Sequence, residues 1–163
     1  MEGAPKPIVA CSTNTEIILN KNKLFFDSPV VKKARENILE FLLLNHPLDC
    51  PICDQAGDCD LQDQSIFFGF NKRRFYKFKR IVNDKNLGPI IKTVMTRCIH
   101  CTRCVRFLNE ISFGTELGIF GRGNKSEIGS YVNKFIIDEL SANIIDLCPV
   151  GHLTNKIYYR STN

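Results

Sequence analysis

A histidine and three cysteines lie within the short stretch "NHPLDCPICDQAGDCDLQD", residues 45–63. The four side chains are His46, Cys50, Cys53 and Cys59. Three thiolates and one imidazole can hold a single zinc ion in a tetrahedral site. The same donors could hold an iron–sulfur cluster, since imidazole replaces cysteine in some such centres. The spacing alone favours neither chemistry.

A second group of cysteines indicates an iron–sulfur cluster more clearly. "CIHCTRCV" places Cys98, Cys101 and Cys104 at the spacing C-x2-C-x2-C, and Cys148 follows far along the chain, directly before a proline. A cysteine triplet with a remote fourth cysteine before proline is typical of [4Fe–4S] clusters. A four-cysteine zinc site would more commonly show two separate C-x2-C pairs. A cluster here also favours a cluster at the first group, because electron carriers gain from clusters that lie close together.

The composition predicts a folded chain in a reducing compartment. Of its 163 residues eight are cysteine, and the formal net charge of +5 is mild. Six of the cysteines form the two tight groups, which suits metal binding better than a disulfide framework. "MEGAPKPIVA" does not resemble a signal peptide, and the longest apolar run, around "FLLL", is far below the roughly 18 residues of a membrane span. We therefore expect contact with a membrane only through partners.

Periodicity and breaker residues predict short helices and strands around these groups. A helix should begin after the cap Ser28 and end near Asn45, where it delivers His46 before Pro47 stops it. Further helices are predicted after Cys59 in "DLQDQSIFFGF", from Cys98 to about Leu108, and in "FIIDELSANIID". Strands are predicted in "PIVACST", "LGPIIKTVMTR" and the glycine-rich "GIFGRGNKSEIGSY".

At this level of detail the chain resembles a known family. "EFLLLNHPLDCPICDQAGDCDLQDQS", "TRCIHCTRCVRF", "GRGN" and "NIIDLCPVGHLT" closely resemble the large iron–sulfur (75-kDa) subunit of respiratory complex I, from about residue 4 to residue 157. The resemblance implies that His46, Cys50, Cys53 and Cys59 hold one [4Fe–4S] cluster. It implies that Cys98, Cys101, Cys104 and Cys148 hold another. The expected fold is an α+β module organised around the two clusters.

The resemblance also implies a divided organisation. Residues 1–27 would be the remnant of a plant-type [2Fe–2S] ferredoxin domain, residues 28–70 the histidine-plus-three-cysteine segment, and residues 71–163 the four-cysteine domain. Family members carry three cysteines before the position of Cys11, and this chain lacks them. Cys11 is therefore either a small core residue or one ligand of a [2Fe–2S] cluster completed by another chain. We expect a middle segment of a split subunit, with its [2Fe–2S] and molybdopterin-type domains supplied separately.

The function that the resemblance implies is one-electron relay from NADH and flavin toward ubiquinone. Expected partners are the flavin subunit and the following iron–sulfur subunit of a mitochondrial, matrix-facing peripheral arm, with the cytoplasmic face of a bacterial membrane as the alternative. No catalytic residue and no glycine-rich dinucleotide fingerprint is found. Two other classes stay open: a diaphorase-side subunit of a soluble hydrogenase or formate dehydrogenase, and a zinc-stabilised nucleic-acid-binding module.

Several residues outside the two ligand groups have expected roles of their own. The basic run at residues 72–80 interleaves with aromatic residues, as in some nucleic-acid readers, although we expect a solvated or subunit-facing surface. His100 and His152 are expected to be structural or surface residues. Arg97, Arg103 and Arg106 are hypothesised to offset the negative charge of the four-cysteine set. Ala56, Asp58 and His152 replace the usual Gly, Glu and Ala of the family, without an expected effect on ligation.

Overall fold

A computed structural model describes residues 6–16, 23–72, 74–76 and 78–158, in which four helices and four short strands alternate with turns. The helices are α1 (Pro29–Asn45), α2 (Asp60–Phe68), α3 (Arg103–Glu110) and α4 (Asn143–Leu147). The strands are β1 (Ile91–Thr93), β2 (Leu117–Phe120), β3 (Glu127–Ser130) and β4 (Leu153–Asn155). This small mixed architecture agrees with the predicted α+β class. Within the described ranges, no helix is long and apolar enough to cross a membrane.

Helix α1 begins and ends where its sequence predicts. The Ser28 hydroxyl accepts a hydrogen bond from the Val31 amide at 3.4 Å, and proline occupies the first helical turn. The helix ends at Asn45 because a residue before proline avoids the α region. His46, which precedes Pro47, is accordingly extended, with φ −66° and ψ 130°. The predicted short helix after Cys59 is also present, as α2.

Two separate antiparallel pairs of strands shape the second half of the chain. Strand β1 pairs with β4, with Thr93 opposite Leu153, and β2 forms a hairpin with β3. The β1–β4 pair has a direct consequence for the cysteines. Because Cys98 follows β1 and Cys148 precedes β4 by a few residues, this pairing brings distant parts of the sequence together.

One apolar core is shared by α1, α2 and the second half of the chain. Leu108 and Ile144 are completely buried, and Val150 and Leu153 are 1% exposed. The core cluster also contains Leu39, Leu61 and three of the cysteines, which are Cys59, Cys104 and Cys148. Each group thus has at least one thiol packed directly into the apolar interior. The three segment boundaries expected from the sequence stay predictions.

The strand predicted near Cys11 is wrong. "PIVACST" was expected to form a strand, but residues 10–12 form a single 3-10 turn, in which the Thr13 hydroxyl donates to the Val9 carbonyl at 2.6 Å. No described strand pairs with this segment, so the β-propensity of its residues has no sheet to join. Parts of the expected [2Fe–2S] remnant, residues 1–5 and 17–22, lie outside the described ranges.

The helix expected in "FIIDELSANIID" is present only at its end, as α4. Residues 135–137 are extended instead, with the Ile136 amide donating to the Leu87 carbonyl at 3.1 Å. Ile136 is buried while Phe135 and Ile137 are exposed, an alternation of period two. The apolar run was compatible with either period, and pairing with the segment around Leu87 decided the outcome.

Candidate functional site

The first predicted set comes together around one small cavity. His46, Cys50, Cys53 and Cys59 all line it, and so do Arg97, Gly151 and several neighbours. The loop that carries the thiols is a series of tight turns. The Cys53 amide donates to the Cys50 carbonyl at 3.3 Å, and the Ala56 amide donates to the Cys53 carbonyl at 3.1 Å. Gly57, at φ +91°, completes the reversal that returns the chain to Cys59.

His46 has the form that a metal ligand requires. Its Nδ1 is buried and has no hydrogen-bond partner among the described residues. Burial lowers the pKa of His46, and the positive charge of Lys79 lowers it further. The imidazole is therefore neutral and keeps a free lone pair. A buried, unsatisfied nitrogen of this kind costs free energy unless something binds it, which fits a metal or cluster in this cavity.

Lys79 holds the end of the helix that delivers His46. Its ammonium donates to the carbonyls of Leu43 (3.1 Å), Leu44 (3.3 Å) and His46 (2.6 Å). The last carbonyls of a helix lack intrahelical partners and carry its partial negative charge. Lys79 therefore caps α1 from a segment more than thirty residues away. The sequence showed Lys79 only as one member of the basic run.

We expect Lys79→Met to loosen the last turn of α1. Losing a cation at a helix C-terminus costs about 1 kcal/mol, which corresponds to roughly fivefold faster amide exchange if the turn opens locally. Hydrogen exchange measured by mass spectrometry on the peptide around residues 41–47, in the assembled protein, checks this. Lys72→Met, an exposed lysine of the same segment, is the control. Equal exchange in both variants would contradict the capping role.

The second predicted set lines a separate small cavity. Cys98, Cys101, Cys104 and Cys148 surround it with Ile99, Ile128 and Val150. The helix expected to start at Cys98 starts only at Arg103. His100 (φ 56°) and Thr102 (φ 64°) adopt the left-handed conformation, so the backbone curls around the cavity before the helix begins. A regular helix could not curl in this way, and the left-handed conformation at non-glycine residues is uncommon outside functional loops.

The thiols of this set are held in an apolar surrounding. Burial raises the pKa of Cys98 to about 11 and that of Cys104 to about 12. Burial also raises the pKa of Cys148, and the mutual proximity of the four sulfurs adds to each shift. Without a bound cation these thiols stay protonated. They become thiolates only when a positively charged metal group replaces their protons, so the donor set fits such a group.

Each predicted donor set lines a cavity of its own. Thiolates and imidazole are donors for zinc as well as for iron–sulfur clusters.

The two sites touch each other through the chain that follows Cys148. The Cys59 thiol lies 3.7 Å from the Pro149 carbonyl. A side chain built on Gly151 would overlap Cys53 Sγ, so this backbone lies directly against the first set. Only two residues separate Cys148 from Gly151. Gly151 was not among the predicted site residues, because "CPVGHL" carries no signal for this contact except the glycine itself.

The three arginines are distributed differently from the hypothesis. Arg97 lines the first cavity and not the second, although it directly precedes Cys98. Arg103 does line the second cavity, and its Nη1 lies 3.4 Å from Asp60 Oδ2. Arg106 is exposed and lines neither. Arg97 reaches the first cavity because a side chain of this length extends past its own sequence neighbours, and the charge compensation of the second set stays a hypothesis.

The two other histidines make structural contacts. His100 is exposed, and its Nε2 donates to the Ser126 carbonyl at 2.8 Å. His152 is 2% exposed and its Nδ1 donates to the Val94 carbonyl at 3.1 Å. Burial lowers the pKa of His152 to about 4, so the ring is neutral and Nε2 is unprotonated. Cys11 is exposed and lines neither cavity.

Much of the basic run is engaged within the molecule. Arg74 Nε binds Glu40 of α1 at 2.8 Å, and Arg80 binds the Ser126 carbonyl (2.9 Å) and Glu127 (3.2 Å). Lys79 caps α1 as described above. These contacts hold Arg74, Lys79 and Arg80 against α1 and the start of β3. This observation disfavours a nucleic-acid surface. Arg73 and Lys77 of the run lie outside the described residues.

Comparisons with protein families agree with this arrangement. Residues 88–154 match the family described as "NADH-quinone oxidoreductase subunit 3, ferredoxin-like domain". Residues 35–74 match the "NADH-ubiquinone oxidoreductase-G iron-sulfur binding region". Each match contains all four residues of one predicted ligand set, and the descriptions support iron–sulfur binding.

Curated relatives and a solved structure extend the comparison. The chain is 56% identical over 158 residues to the "NADH-ubiquinone oxidoreductase 75 kDa subunit" of Reclinomonas americana, which covers 97% of this chain and 22% of the relative. It is 58% identical to "NADH dehydrogenase [ubiquinone] iron-sulfur protein 1, mitochondrial" of Solanum tuberosum, over 96% of this chain and 21% of the relative. A crystal structure of an NAD+-reducing [NiFe]-hydrogenase superposes with a TM-score of 0.71 at 27% identity, covering 84% of this chain and 60% of that one.

The chain thus spans about a fifth of the length of the curated relatives that it matches. Over that length more than half of its residues are identical to theirs, and the matched regions carry both ligand sets. The chain therefore belongs, across the residues compared, to the family of the 75-kDa iron–sulfur subunit of NADH–ubiquinone oxidoreductase.

Proposed function

We propose that this chain relays electrons within NADH–ubiquinone oxidoreductase through two [4Fe–4S] clusters. His46, Cys50, Cys53 and Cys59 would hold one cluster, and Cys98, Cys101, Cys104 and Cys148 would hold the other. The observation that carries this proposal is the direct contact between the two sites through residues 149–151. Two ligand sets that contact the same stretch of backbone suit electron transfer, for which short distances matter more than access by a substrate.

The residues of the chain would supply ligation, spacing and electrostatics, and the clusters would supply one-electron transfer. His46 contributes a neutral ligand, so the first set carries one negative charge fewer than the all-cysteine set. Apolar packing around Cys104 and Cys148 excludes water from the second set. These two differences would separate the reduction potentials of the sites, because net charge and solvent exposure both tune a cluster.

Within that complex the expected partners are the flavin subunit and the next iron–sulfur subunit. The mitochondrial name of the potato relative supports a mitochondrial complex, and we propose the matrix-facing arm. Cys11 would be one ligand of a [2Fe–2S] cluster shared with another chain. Its exposure on a surface turn makes it accessible to such a partner.

A second function keeps some support from the structural comparison. The likeness to the hydrogenase covers most of this chain and agrees with the alternative of a diaphorase-side subunit in a soluble enzyme. The identity to complex I relatives is about twice as high. Co-purification with membrane-arm subunits would separate the two functions, since a soluble hydrogenase has none.

Iron, zinc and acid-labile sulfide per chain should be measured in the purified assembly, together with low-temperature EPR of the reduced sample. We expect iron and sulfide equal to two cubes from this chain, without zinc. A [2Fe–2S] signal that disappears in Cys11→Ala would support the shared cluster. Zinc without sulfide would overturn the proposal and favour the nucleic-acid module, whose affinity would fall steeply with salt.

A further inference from the structure

Arg97 is a charged side chain buried beside the first ligand set. Only 6% of its surface is exposed, and a guanidinium stays protonated in proteins. It ends the 3-10 turn Met95–Arg97, directly before the first cysteine of the second set, yet it lines the cavity of the first. A buried charge is expensive unless it is paired or compensated.

The contacts of Arg97 reach the backbone that places two of the thiols. Its Nε lies 3.2 Å from Asp49 Oδ2, and its Nη1 lies 3.5 Å from the Gly151 carbonyl. Asp49 directly precedes Cys50, and Gly151 packs against Cys53. One guanidinium therefore braces the ligand loop on one side and the segment shared by both sites on the other.

Asp49 is the only acidic side chain within the described ranges that contacts Arg97, and it compensates the positive charge of Arg97 incompletely. The Asp49 side chain is 33% exposed, whereas the Arg97 side chain is 7% exposed. Water therefore screens the carboxylate more than the guanidinium. The positive charge lies beside a cavity that three thiols line, where its burial strengthens its electrostatic effect.

We propose that Arg97 positions the ligand loop of the His46–Cys50–Cys53–Cys59 site and supplies the positive charge that compensates this site, instead of the site whose first cysteine it adjoins. The inference rests on the proposed function, because it takes this set to hold a cluster. One-electron reduction adds a negative charge to such a group. The guanidinium stabilises the reduced form more than the oxidised form, so its removal lowers the reduction potential of the first site.

The test is an EPR-monitored redox titration of the assembled complex carrying Arg97→Gln, with dithionite as the reductant. The signal of the first site is assigned by its change in a His46→Cys variant. In Arg97→Gln we expect the equilibrium constant for reduction of that site to fall about tenfold, or ~59 mV for one electron. Arg97→Lys keeps the charge and should shift the potential less. The exposed Arg106→Gln is the matched control and should shift neither signal.

Each other outcome also decides the matter. Loss of iron from the first site alone in Arg97→Gln, with iron restored in Arg97→Lys, would support the bracing role. An unchanged potential, a shift confined to the second site, an equal shift of both, or loss of both clusters in both variants would overturn the proposal. If the complex shows no iron–sulfur signal that changes in the His46→Cys variant, the proposed function itself is refuted.

Discussion

Cys148→Ser should remove the all-cysteine cluster and abolish electron transfer through this chain. Cys148 is 8% exposed, and its thiol lies 3.0 Å from the Val150 carbonyl in a closed apolar surrounding. A serine hydroxyl is a far weaker ligand than a thiolate, and Cys148 lies within the apolar core. Losing even an outer partner of a ligand costs roughly 10–100-fold in metal affinity, so we expect more than about 100-fold here.

Iron and sulfide per chain, low-temperature EPR and NADH-to-quinone electron transfer in the assembled complex measure this effect. Cys11→Ser is the matched control, because Cys11 is exposed and lines neither cavity. The control should keep both cubes, whatever happens to a shared [2Fe–2S] centre. Full iron content and an unchanged spectrum in Cys148→Ser would show that this residue is not a ligand.

Gly151→Ala should disrupt the first site although the substitution replaces none of its ligands. The added methyl group would overlap Cys53 Sγ and lie 3.2 Å from Gln55 Cβ. A ligated sulfur cannot move aside, so the backbone or the loop must shift. Overpacking of this kind typically costs about 1–3 kcal/mol. We therefore expect lower iron occupancy at the His46 set and a lower unfolding temperature of the assembly.

Gly118→Ala is the matched control for this substitution. A methyl group there would meet only the Phe120 ring at 3.8 Å, an ordinary contact. Substitutions without such a clash usually change stability by less than about 0.5 kcal/mol. Elemental analysis, EPR and thermal unfolding should separate the two variants. Equal iron and equal unfolding temperatures in both would show that the close approach at Gly151 is unimportant.

Much of the candidate site was accessible from the sequence because its information is local. The triplet Cys98, Cys101 and Cys104 is readable from its spacing, and the helix that delivers His46 is bounded by Ser28 and Pro47. Caps, prolines and short ligand spacings act over a few residues, so they can be recognised in the sequence without knowledge of the fold. The family resemblance rested on the same local motifs and is confirmed by the comparisons.

Where the sequence failed, a competing conformation was decided by distant partners. The triplet was expected on a helix, but left-handed residues at His100 and Thr102 curl it into a loop around the cavity. The apolar run at residues 135–137 shows no clear periodicity in the sequence, and its conformation depends on the backbone hydrogen bond from Ile136 to Leu87. The position of Arg97 at the first cavity was not foreseen, because sequence adjacency does not show where a long side chain ends.

By itself, the sequence indicated the donor residues of the chain, their grouping into two candidate ligand sets and the family. The tertiary structure alone showed that both sets contact the backbone at residues 149–151, that Arg97 lines the cavity of the first set, and that Lys79 caps α1. The physical reason is the range of the interactions. Ligand identity and helix capping are local, whereas close packing and electrostatic compensation depend on residues brought together only by the pairing of β1 with β4 and by the shared core.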